Sequence, residues 1–87
     1  MNETELRNKI LEVLTGIAPE AAEVDLDPRV GFRDQLDFDS MDFLNFAIGL
    51  HEELGVDIPA RDYPRLATLA SAVKYLQTRL GHERVGE

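Results

Sequence analysis

Apolar residues recur at helical spacing in three stretches of the chain. Leu6, Ile10, Val13, Leu14 and Ile17 stand at i, i+4, i+7, i+8 and i+11, one stripe of an amphipathic helix that Gly16 and Pro19 then close. The spacing predicts a first helix over residues 3–16. A second periodic stretch covers 40–54 and stops at Gly55, a residue type that ends helices because it enters the left-handed conformation without penalty. Thr68 offers an N-cap for a last helix over 68–80, in which Leu69, Ala72, Val73, Leu76 and Leu80 share a stripe before Gly81. Between these two, "IPARDYPRL" has room for one short helix near 60–65, since Pro59 suits a helix start and Pro64 disrupts anything longer. Residues 81–87 read as a mobile tail.

The connection over 18–38 is longer than most loops of compact domains. Val24, Leu26, Phe32, Leu36 and Phe38 are spread along it, so it is expected to lie across helix ends and bury side chains. No stretch alternates as a strand, and there is no repeat. The pattern predicts a single all-α domain, a small four-helix bundle of three main helices and one short one.

The second helix carries more apolar surface than a bundle core needs. At about 100° per residue, Phe43, Phe46, Ala47, Leu50 and Leu54 fall on one stripe. Met41, Leu44 and Ile48 make a second, edged by Asn45 and Glu52. A central helix would bury both stripes. Three substantial helices make that hard to arrange, and the alternative is a solvent-facing apolar strip beside carboxylates, which suits recognition of a protein partner.

Composition narrows the function. The 87 residues include no cysteine, which removes disulfides, thiolate zinc sites and any side-chain thiol nucleophile. "MNETELRNK" lacks the apolar core of a secretory signal and no run approaches a membrane span, so a cytoplasmic protein is expected. The formal net charge of −8 argues against nucleic acid or an anionic lipid surface as partner. Between Asp34 and Ala60 stand seven acids (Asp34, Asp37, Asp39, Asp42, Glu52, Glu53, Asp57) and no lysine or arginine, while the remaining residues hold ten acids and nine bases. Such a run serves solubility in any protein; around the apolar strip it also makes a docking surface for basic partners.

At the head of that helix, "LDFDSMDFLNF" sets Asp39 and Ser40 side by side. A helix start uses one N-cap side chain, so with Asp39 as cap the Ser40 hydroxyl is left toward solvent, beside free backbone N–H groups and the positive end of the helix dipole. An anion attached there would be stabilised, as phosphate esters are at helix N-termini.

These residues resemble the acyl carrier proteins and related phosphopantetheine carriers. The likeness covers roughly residues 32 to 76: "FRDQLDFDSMDFLNF" is similar to the family's attachment segment, "HEELGVDIP" at 51–59 to the acidic end of its second helix, and "ATL" at 67–69 to the start of its last. The resemblance implies that Ser40 accepts 4'-phosphopantetheine from coenzyme A through a separate magnesium-dependent transferase, and that the arm's thiol carries an acyl or aminoacyl group in fatty-acid, polyketide or specialised lipid synthesis. It implies that Asp39 caps the helix and contacts the transferase's metal. It also implies that Met41, Asp42, Leu44, Asn45, Ile48 and Glu52 face acyl-loading and acyl-processing enzymes with basic patches, and that Phe46, Ala47 and Leu50 belong to a core that parts for an acyl chain. Asp37, Asn45 and Pro64 depart from the family pattern, and Phe43 and Phe46 are bulkier than its usual residues.

Rival chemistries find less support. Counted from Asp37 as an EF-hand, position 6 is Asp42 where glycine is required and position 12 is Ile48 where a glutamate should bind, so no such metal loop is expected. His51 and His82 lack a nucleophile partner and are placed on a solvated surface or in the tail. Ser71 is taken as filler within the last helix, and Tyr63 and Tyr75 as packing residues with their hydroxyls in water. The chain is therefore expected to be a non-catalytic monomer, and the rival to a modified carrier is an unmodified acidic adaptor using the same strip. Crowded carboxylates repel one another, so magnesium chloride is expected to raise the melting temperature by screening; a melting curve that magnesium leaves in place contradicts this.

Overall fold

A computed structural model of the chain describes the backbone of residues 2–85 and the side-chain surroundings of residues 2–80. The chain folds as α1 (Glu3–Ile17), α2 (Phe32–Gln35), α3 (Ser40–Leu54) and α4 (Leu69–Val85), with 3₁₀ helices at Pro19–Ala22 and Ala60–Leu66. No strand occurs among the described residues. The architecture is the all-α bundle that the periodicity predicts, and the helix expected second is α3.

Each main helix starts on a reciprocal cap. Asn2 Oδ1 accepts the Glu5 N–H at 2.8 Å while Glu5 reaches back to the Asn2 N–H. At α4, Thr68 Oγ1 accepts the Ser71 N–H at 3.0 Å and the two hydroxyls lie 2.8 Å apart. Ser71 is thus a capping partner and not filler. α3 ends as predicted at Gly55, in the left-handed region at φ 66°, with its N–H on the His51 carbonyl.

The core runs through all elements. Leu6, Ile10 and Leu14 of α1, Phe46, Ala47 and Leu50 of α3, and Leu69, Ala72, Val73, Tyr75 and Leu76 of α4 are buried, joined by Val56, Ile58 and Leu66. α1 packs on both α3 and α4, and Ala60–Leu66 packs on α4. At the α1–α3 crossing Gly49 is necessary: a Cβ there would stand 2.8 Å from Val13 Cγ1, a β-branched side chain that swings little. Lys9 Nζ donates to Glu53 Oε1 at 2.9 Å across the same pair, and that bond, with the Glu12 charge, holds the Lys9 ammonium above its ordinary pKa.

Further sequence expectations need correction. α4 continues past Gly81 to Val85, because glycine inside a helix costs only about 1 kcal/mol and nothing else in the stretch breaks it. The expected tail is therefore helical over 81–85, residues 86–87 lie outside the described residues, and so does the side chain of His82. The long connection is anchored by Phe32, Leu36 and Phe38, which are buried, but Val24 is exposed. Gln35 stitches the connection instead, taking the Asp27 N–H and donating to the Asp27 and Val30 carbonyls, each at 2.9 Å. Tyr75 is not a water-facing hydroxyl: it donates to Asp62 Oδ2 at 2.7 Å, and burial together with that carboxylate raises its pKa.

Gly49→Ala is expected to destabilise the bundle by about 1 kcal/mol through overpacking. Gly16→Ala, where a Cβ meets nothing within 4 Å, is expected to stabilise it by about 0.5–1 kcal/mol. Urea unfolding of both variants checks the opposite signs.

Candidate functional site

The site is built from the first turn of α3. Asp39 lies in extended backbone at φ −95°, and its Oδ1 accepts the Asp42 N–H at 2.9 Å. Asp42 Oδ2 in return accepts the Asp39 N–H at 3.2 Å. This box satisfies two of the four unpaired N–H groups of a helix start. Those of Ser40 and Met41 have no protein partner among the described residues. Ser40 is the first helical residue, it is exposed, and its hydroxyl takes no hydrogen bond among the described residues. An alcohol held outward next to two free N–H groups at the positive helix end suits an O-linked phosphate: the oxygen is accessible for esterification and the ester's charge meets the dipole.

The two apolar stripes of α3 separate as one inside and one outside. Phe46, Ala47 and Leu50 are buried, with Phe43 and Leu54 packed against the core. Met41, Leu44 and Ile48 are 64%, 38% and 44% exposed, which rules out burial of both stripes. Asn45 and Glu52 are exposed beside them and Asp42 is half-buried. Of the expected site residues, Met41, Leu44, Asn45, Ile48 and Glu52 are thus exposed along α3 after Ser40, while Asp42 turns back to the cap. Asp42 has a role that periodicity did not reveal, since it completes the cap. Glu53 leaves the acidic surface in part, being paired to Lys9.

The structure adds two features. A cleft of about 500 Å³ lies beside α3, lined by Gly31, Arg33, Asp34, Phe43 and Ala67. The Phe32 N–H donates to the Ala67 carbonyl at 2.9 Å and ties two of its walls together. The second feature is the contact of Phe43 with Tyr63, ring centroids 6.3 Å apart and edge to face. Both join residues far apart in the chain, and no spacing rule signals them.

Other candidates organise no chemistry. His51 is exposed at the end of α3, and its Nδ1–H donates to the Val56 carbonyl at 2.7 Å, a structural bond. Among the described residues no three His, Asp or Glu side chains are grouped to hold a metal ion, and no helix is long and apolar enough to cross a membrane.

Comparison with known proteins bears on most of the chain. The family described as phosphopantetheine attachment site matches residues 6–76. An acyl carrier protein of Renibacterium salmoninarum is 37% identical over 68 residues, 78% of this chain and 79% of that protein. One from Lactobacillus acidophilus is 32% identical over 84 residues, 93% of this chain and all of that protein. A meromycolate extension acyl carrier protein of Mycobacterium tuberculosis is 35% identical over 69 residues, 79% of this chain and 56% of that protein.

Proposed function

Because the chain belongs to the phosphopantetheine-attachment family of acyl carrier proteins, we propose that Ser40 is the residue that bears its arm. The protein is an acyl carrier with a 4'-phosphopantetheine prosthetic group, which supplies the thiol that holds acyl groups as thioesters. That sulfur is one the chain itself lacks, having no cysteine. Carriers of this family are non-catalytic.

The observation that supports Ser40 is its free, exposed hydroxyl in the first turn of α3, with the cap made by Asp39 and Asp42. A separate transferase would bring coenzyme A to this turn. The Ser40 oxygen would form the new bond to phosphorus as its proton leaves, with adenosine bisphosphate departing. The N–H groups of Ser40 and Met41 then face the phosphodiester, and Asp39 keeps the helix start fixed while standing beside the transferase's metal ion.

Met41, Asp42, Leu44, Asn45, Ile48 and Glu52 form the face offered to the transferase and to acyl-loading and acyl-processing enzymes. The three apolar side chains would seat in shallow pockets of those partners. The segment from 34 to 60, seven acids and no lysine or arginine, would steer basic docking patches. The pathway is proposed as fatty-acid, polyketide or specialised lipid synthesis, and the compartment as the cytoplasm.

Coexpression with a broad-specificity transferase is expected to add one phosphopantetheine to the wild type, read by intact mass, and none to Ser40→Ala. An unmodified wild type favours the plain adaptor, and an adduct that persists in Ser40→Ala places the arm elsewhere. Leu44→Glu is expected to lower kcat/KM of partner enzymes by about tenfold or more while circular dichroism stays native; unfolding would instead mark Leu44 as part of the core.

A further inference from the structure

Residues three apart on a helix are neighbours, so Phe43 lies one turn below Ser40 on α3. There, where α3 meets the short helix Ala60–Leu66, the Phe43 ring meets Tyr63 edge to face at 6.3 Å and 76°. Behind that pair the space is occupied by further rings. Phe43 contacts Phe38 at 6.3 Å and Phe46 at 6.5 Å, and Phe46 contacts Phe32 at 5.3 Å. Phe32 and Phe46 are fully buried. An interior filled by rings in contact admits a run of methylenes only if rings leave their places, and overpacking a core is itself destabilising.

The cleft outside is of another kind. It is open to solvent, two of its five lining residues, Arg33 and Asp34, are exposed charged side chains, and Gly31 offers it main chain. Phe43 and Ala67 are its only apolar side chains, so a hydrocarbon chain lying there would remain partly in water.

We infer that Phe43 and Tyr63 bar the helix interior to the cargo, so that this carrier presents short acyl groups at its surface and does not store a long alkyl chain among its helices. The inference rests on Ser40 bearing the arm. Phe43 and Tyr63 act as specificity-determining residues: they set which chain lengths find shelter, while the attachment chemistry at Ser40 is unaffected.

The test uses the full chain, wild type and Phe43→Ala, each converted to the arm-bearing form with its single adduct confirmed by mass. Each is then acylated with acetyl, hexanoyl and dodecanoyl groups, and thioester hydrolysis and melting temperature are followed. In the wild type both stay flat along the series, with hydrolysis rates within about twofold, because no length of chain is withdrawn from water. In Phe43→Ala the dodecanoyl form is expected to hydrolyse several-fold more slowly and to melt higher than the acetyl form, as a chain that binds only the native state requires. A wild type whose hydrolysis slows or whose melting temperature climbs with chain length overturns the inference, and that arm decides alone if Phe43→Ala does not fold. A flat series in a folded Phe43→Ala overturns the role given to Phe43. A wild type that takes no adduct fails already at the mass step, which removes the attachment reading and this inference with it, so the two failures are told apart.

Discussion

The reciprocal cap between Asp39 and Asp42 is the constraint on which the functional end of the molecule depends. A helix start must satisfy its leading N–H groups, and the side chain that does so is committed to the backbone. Were Ser40 the cap, its hydroxyl would be turned inward on α3. With Asp39 in that role and Asp42 returning the bond, the serine sits one residue further on, outside, with an uncommitted oxygen. A register shift of one residue separates an ordinary capping serine from one whose hydroxyl is open to modification.

That arrangement places the rest of the surface. Since α3 begins at Ser40, the residues that follow at helical spacing on the outer side, Met41, Leu44 and Ile48, form a strip leading away from it, and the inner side supplies Phe46, Ala47 and Leu50 to the core. One helix thus carries the proposed attachment point, the exposed apolar strip and a core stripe. Its orientation is fixed from behind by α1, where Gly49 lets the helices approach and Lys9 bridges to Glu53. The ion pair is half exposed and contributes little to stability; its consequence is that one acid of the run is already engaged within the fold.

Much of this was legible in the sequence, for identifiable reasons. The main helices show through because their stripes are long and their ends carry strong local signals: Gly55 adopts the left-handed conformation that commonly ends a helix, and Thr68 caps through a side chain three residues from its partner. Gly81 misled because a glycine with ordinary helical geometry gives the same letter as a terminator. Asp39, Ser40 and the outer strip could be read because capping and helical periodicity are local rules. Local rules do not reach the Tyr75 bond to Asp62, 13 residues away, the cleft between the Gly31 and Ala67 walls, or the meeting of Phe43 with Tyr63. Those depend on how the connection folds over the bundle, which one sequence does not announce.

The short helix Ala60–Leu66 is held unevenly. Toward α4 it has the Tyr75 hydroxyl on Asp62, the Arg65 guanidinium over the Tyr75 ring, and its own packing. Toward α3 it has the edge of one ring on another. The seam between α3 and the short helix is thus closed by side chains, with no backbone hydrogen bond across it among the described residues. A joint of that kind is open to revision: on the inference drawn above, replacing one aromatic side chain there would change which loads the scaffold shelters, a difference within a single codon.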